Sequence, residues 1–199
     1  MTGRRPAALG PVWLLWLLPM CGAAHELPAD RLTLVQRAPT HVSLIFRVDD
    51  IALMKRLVAP RASDADFLMP LSTMDDARFT KALALARSRF ETGVALRDAR
   101  GRALRIERWR WPPAEDVRRR IRAVVMQSMV GDGAHVHAEP VEVTADALSA
   151  SAIEEVALKL PEAAGAMVVV SYRPLQQDYR ADRPAPLRIR FGAAAPRGP

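Results

Sequence analysis

Cysteine is all but missing from this chain, and its one cysteine, Cys21, sits close to the N-terminus. That excludes a disulfide-stapled scaffold, and it excludes thiol chemistry in any body that begins beyond residue 21. Lysine is scarce, with only Lys55, Lys81 and Lys159, so nearly all of the positive charge is arginine. Histidine occurs four times, at His25, His41, His135 and His137. No glycine-rich phosphate loop is present, and no serine stands in a G-x-S-x-G or S-x-x-K context. The adjacent acids Asp49-Asp50 and Asp75-Asp76 suit helix caps better than a catalytic dyad, because neighbours on a strand point to opposite faces. An enzyme is therefore not expected.

One long apolar run does occur, and it is at the N-terminus. Arg4 and Arg5 precede an apolar stretch from Leu9 to Met20, then Pro19 and the small residues Gly22, Ala23 and Ala24 interrupt it. Positive charge, short apolar segment, helix breaker and small residues form the order of a secretory signal peptide. Residues 1–24 are read as that signal, with cleavage after Ala24 or Ala23. The run is shorter than the about 20 residues that span a bilayer. A lipid anchor at Cys21 fits poorly, because Met20 before it is not small. The expected location is the periplasm, with no transmembrane span in the mature chain.

Cleavage after Ala24 leaves 175 residues. A chain of that length buries roughly two-thirds of its unfolded surface and can build a core without cross-links. Residues 25–191 are read as a single globular domain, and 192–199, rich in small residues and proline, as a disordered tail.

Charge is uneven. The net charge is +7, two units of which come from Arg4 and Arg5, leaving +5. Between Arg100 and Arg122 nine arginines face only Glu107, Glu115 and Asp116, so this stretch carries +6 and the remainder −1. A local basic patch suits an envelope protein or an anionic envelope component as partner. Nucleic acid is not expected for an exported chain. The bland reading of the same arginines is a solvated face.

Periodicity supplies the fold. Residues 31–37 and 41–48 alternate with period two around Ala38-Pro39-Thr40, as a hairpin does. A short helix follows from Asp49–Asp50 to Ala59, and 60–72 is read as a loop holding Phe67-Leu68-Met69. A second helix is expected to start at Ser72 or Thr73. Phe79, Leu83, Ala86 and Phe90 share one stripe of it, and Gly93 is expected to end it in a left-handed conformation. Strands are expected at 94–97 and 102–107. Pro112-Pro113 then opens a third helix, with Val117, Ile121, Val124, Val125 and Ser128 inward. Strands are expected around Val141–Thr144 and Val156–Leu160. Met167–Val170 is read as the buried centre of the sheet, and Leu187–Phe191 as a last strand. The expectation is an α+β fold, with an antiparallel sheet or open β-sandwich and about three helices packed on one side.

Two candidate sites follow. Arg108, Trp109, Arg110 and Trp111, with Arg118, Arg119 and Arg122 on the next helix, form a candidate partner surface, since arginine and tryptophan are enriched at interfaces. The simpler reading packs a tryptophan inward under arginine stems. The other candidate is a metal site. His135 and His137 are two apart and share a face on a strand, and His25 as a first residue would offer an amine and an imidazole together. Copper or nickel would be the ion. The expected cofactor is otherwise none. On this alternative the protein is a periplasmic metal-binding or delivery domain.

The segment Ala24-His25-Glu26-Leu27 with Ala29–Val35, and the later Val168-Val169-Val170-Ser171-Tyr172-Arg173-Pro174, resemble an uncharacterised family of exported proteobacterial proteins. That resemblance implies export and brings no activity or site residues. The Ala-His-Glu start is also similar to the extracytoplasmic segment of nickel-transporter-like proteins, and no ligand is carried over from it. The leading expectation is a soluble periplasmic accessory or interaction protein.

Overall fold

The structure is a computed structural model, and it describes residues 30–130 and 139–174. Two strands open it: β1 (Arg31–Ala38) and β2 (His41–Val48), joined through Pro39-Thr40 as an antiparallel hairpin. Three helices follow, α1 (Asp50–Val58), α2 (Asp64–Thr73) and α3 (Asp76–Gly93). Then come β3 (Ala95–Asp98), β4 (Arg105–Arg110), α4 (Ala114–Val130), β5 (Val141–Leu148), β6 (Val156–Lys159), a 3-10 turn at Glu162–Ala164, and β7 (Val168–Tyr172). The fold is α+β. A five-stranded open sheet has the order β4-β5-β2-β1-β7, and β3 pairs with β6 in a small second sheet.

Alternation builds the large sheet as expected. Val42, Leu44, Phe46 and Val48 of β2 are buried, and so are their β5 partners Val143, Ala145 and Ala147. With Phe90, Leu53, Leu96 and Leu104 they form one core under one face of the sheet. A second core lies among the helices, built from Met54, Phe67, Leu71, Phe79, Leu83, Val117 and Ile121. The stripe Phe79, Leu83, Ala86 and Phe90 is buried throughout, as the spacing predicts.

Several expectations need correction. The stretch 60–72 is not a loop, because α2 runs through it. Ser63 caps it by accepting from the Asp66 amide, and Phe67 and Leu71, one turn apart, give it a buried side against α4. There are thus four α-helices, not three. α3 is capped by Asp75 rather than Ser72 or Thr73. Ser128, expected inward, is exposed. The sheet is mixed rather than antiparallel, since β7 runs parallel to β1. Among the described residues β7 lies at its edge, not its centre. Val169 and Val170 are 48% and 39% exposed there, so an unbroken apolar run marks a strand without fixing its place in the sheet.

Gly93 also differs in its role. Its φ is not positive, so it does not end α3 in the left-handed region. A Cβ built on it falls 2.6 Å from Cβ of Pro161. Glycine is there because another chain segment passes against the helix end, and a proline ring cannot swing aside. Gly93→Ala is expected to lower stability by about 1–3 kcal/mol, the ordinary cost of overpacking. Gly101→Ala, with open space around it but φ +77, tests backbone strain separately. Urea unfolding of both variants is the check, and an unchanged midpoint for Gly93→Ala would refute the close approach.

Candidate functional site

The residues read as one partner surface are divided by the fold. β4 alternates, and its Ile106 opposite Ala147 faces the core. A bulge falls between Glu107 and Arg110, with Arg108 in the left-handed region at φ 56. One extra residue lets Glu107 and Arg110 both lie on the face away from the core. Trp109 and Trp111 point the other way and pack on that core. Their rings stack 6.2 Å apart at 20°, Trp109 also stacks on Phe46 at 5.9 Å, and Phe90 meets both edge-on. Trp111 Nε1 donates to Glu91 Oε1 at 2.7 Å, and the Arg87 guanidinium lies 5.6 Å from its ring. The structure therefore packs the tryptophans, half-buried, against the core and on the other side from Arg108 and Arg110.

The arginines of α4 lie elsewhere and have structural work. Arg118 was expected to face outward, yet its side chain is only 13% exposed. It donates to the carbonyls of Met74 and Asp75, pairs with Asp76 at 2.8 Å and covers the Phe79 ring at 4.5 Å. Those contacts tie α4 to the start of α3. Arg119 pairs with Asp116 at 2.5 Å one turn before it, and Arg122 Nε reaches the Ser72 carbonyl at 3.4 Å. Arg120 turns inward to Asp50.

The large sheet's other face, away from its core, carries the arrangement that the sequence did not disclose. Register sets its rows. Arg110, Thr144, Ile45, Thr33 and Val170 lie in line across five strands, and Glu107, Asp146, Ser43, Val35 and Tyr172 form the row beside them. Arg105 stands opposite Leu148, itself opposite His41, and Arg31 and Arg47 are cross-strand partners. Asp146 is the hub. It accepts from Ser43 Oγ at 3.1 Å, lies 2.7 Å from His41 Nε2 and 3.3 Å from Arg108 Nε. Partial burial pushes its carboxyl up, but the hydrogen bonds from His41 and Ser43 and the charge of Arg108 outweigh that and hold it below the usual carboxylate range. Arg37 Nε donates to Ser43 Oγ at 3.4 Å.

Serine, histidine and aspartate thus meet on one face, yet not as a nucleophile with its base. The Ser43 hydroxyl donates its hydrogen bond to Asp146, the same carboxylate that holds His41. A serine nucleophile needs the imidazole between hydroxyl and acid. What the arrangement does is fix charge. Asp146 and Glu107 hold Arg108 where the bulge presents it, and Glu107 also holds Arg105 at 3.1 Å. Arg110 is exposed and forms no ion pair among the described residues. Five arginines from three strands, Arg31, Arg47, Arg105, Arg108 and Arg110, face the same way.

Alternation in β2 puts His41 and Ser43 on its polar side. Asp146 lies 105 residues after His41. Alternation in β5 puts it on a polar side too, but which strand becomes the neighbour of β2 is not written in that pattern. The metal candidates His25, His135 and His137 lie outside the described residues, as do residues 1–24 and Leu187–Phe191. Among the described residues no three His, Cys, Asp or Glu side chains cluster to hold a metal ion, and no helix is long and apolar enough to cross a membrane. No family model, curated protein or solved structure matches this chain.

Proposed function

We propose that this protein is an extracytoplasmic accessory protein that holds an anionic partner against the exposed β4 end of its large sheet. One observation carries the reading: Arg108 sits in a strained left-handed conformation at a bulge, pinned by Asp146 and presented between Arg105 and Arg110. A left-handed arginine costs about 1 kcal/mol or more and persists where its surroundings fix it, and such positions cluster at binding sites. A guanidinium held by neighbours loses little entropy when it binds, and it offers a planar fork to carboxylates and phosphates. The signal-like N-terminus supports an extracytoplasmic place for such a surface.

The reading differs in place from a patch spanning 105–122. It rests on the β4 end of the sheet, where Arg105, Arg108 and Arg110 are exposed together on one face. The test uses the full exported chain and vesicles of phosphatidylglycerol or of phosphatidylcholine. Arg105→Gln/Arg108→Gln/Arg110→Gln is expected to weaken binding to the anionic vesicles at least tenfold, with a smaller salt dependence than the parent chain. Arg119→Gln/Arg122→Gln, on the helix, is expected to change it less than twofold. Equal losses in the two variants would mean that net charge alone attracts the vesicles and would remove the sheet face from consideration.

A further inference from the structure

At the other edge of the large sheet is a feature that the basic face does not use. β7 pairs with β1 on one side and has no strand on its other side among the described residues. Its residues Val169, Val170 and Tyr172 are 48%, 39% and 51% exposed. Beneath it, on the core side, a groove of about 500 Å³ opens between β7 and β6. Leu34, Ile153, Leu158 and Val169 give it apolar walls, and Glu154 and Glu155 stand at its rim. Among the described residues β6 has only β3 as a neighbour, so the groove runs between two strand edges. An open apolar edge of this kind is an acceptor for one more strand, with backbone hydrogen bonds giving affinity and the groove taking alternate side chains.

We propose that the occupant is the chain's own segment 187–191, docked along the free edge of β7 with Leu187, Ile189 and Phe191 entering the groove. Three features select it. Leu187, Ile189 and Phe191 alternate with Arg188 and Arg190, which gives one apolar side and one cationic side. The connection has the right length: twelve residues, 175–186, separate Pro174 from Leu187. They reach about 40 Å when extended, and the five residues of β7 extend only about 17 Å, so the segment reaches β7 in either direction. Pro184 and Pro186 fall before the segment and not within it, where a proline would remove a ladder donor.

Cysteine pairing tests this on the full chain, with Cys21→Ser removing the one native thiol. Residues opposite one another on neighbouring strands share a face. A groove-facing Ile189 therefore pairs with Val169 or Ser171, whichever direction the segment runs. Ser171→Cys/Ile189→Cys or Val169→Cys/Ile189→Cys is expected to form an intramolecular disulfide under mild oxidation, since a disulfide needs α-carbons within about 7 Å. Amide exchange in the cysteine-free chain gives an independent reading. Leu187→Asp/Ile189→Asp/Phe191→Asp is expected to speed exchange of the outward β7 amides at least tenfold and to leave β2 amides unchanged. Failure of both cysteine variants to close, while their thiols still react with a maleimide, overturns the proposal. So does disulfide formation only between molecules, or protection of β7 that rises with protein concentration, because either result gives the edge to a second copy.

Discussion

Replacing Arg120 with alanine is expected to destabilise the fold by about 3–5 kcal/mol, the cost of leaving a buried charge without its partner. Asp50 opens α1 and is 7% exposed, and Arg120 of α4 meets its Oδ2 at 2.5 Å. This pair joins the helix that follows the first hairpin to the helix that follows β4. It is not well satisfied: Asp50 Oδ1, Arg120 Nε and the nearby Arg87 Nε have no hydrogen-bond partner among the described residues. Replacing both partners with apolar groups, Asp50→Leu with Arg120→Met, is therefore expected to recover most of the loss. The pH dependence separates this account from a simple packing defect. Burial pushes the Asp50 carboxyl up, Arg120 pulls it down by charge and hydrogen bond, and the net position is raised. A carboxyl with a higher pKa folded than unfolded binds more protons in the folded state between those two values. Stability contributed there falls as the pH rises through that window. Without Arg120 the carboxyl rises further and the window widens. The deficit of Arg120→Ala is thus largest at neutral pH and shrinks in mild acid. Urea unfolding of parent and variant at both pH values measures it, and a deficit that does not change with pH would sink the assignment.

Phe90→Ala is the other large effect, at about 3–5 kcal/mol for the lost burial and cavity. Phe90 is fully buried at the last turn of α3. Its ring meets Phe46 at 5.2 Å and 79°, Trp109 at 6.0 Å and 80°, and Trp111 at 5.6 Å and 82°. All three contacts are edge-to-face, and such pairs each add about 0.5–1.5 kcal/mol beyond area burial. A domain of this size is stable by about 5–15 kcal/mol, so one substitution removes a large share. Phe90→Leu keeps most of the volume and is expected to cost clearly less. Trp109 and Trp111 report the change directly, because loss of the ring packed edge-on against both shifts their fluorescence to longer wavelength. An unshifted spectrum with unchanged stability would place the tryptophans outside the core.

Much of the architecture was legible locally. The β1–β2 hairpin, the stripe of α3 and the proline-opened start of α4 each follow from spacing over a few residues. The α2 helix was not, because an apolar Phe67-Leu68-Met69 with a proline one residue later reads as a loop until Ser63 is seen capping it and α4 packing against it. The tryptophans were recognised as ambiguous, and the structure gives them to the core. Arg118, by contrast, looked like surface, and only its contacts with the Met74 and Asp75 carbonyls and the Phe79 ring show otherwise.

By itself the sequence determined the α+β class, the inward side of β2 and of α3 and the concentration of arginine between residues 100 and 122. Those properties are local, since a side chain's face is set by a period of 2.0 or 3.6 along its own backbone. Only the tertiary structure decided that β5 lies beside β2, that β7 runs parallel to β1, and that the bulge at Arg108 turns the β4 arginines away from their tryptophans. Strand order and the meeting of Asp146 with His41 are set by which apolar faces bury one another most completely across the whole chain. That competition is global, and no short window of residues contains it.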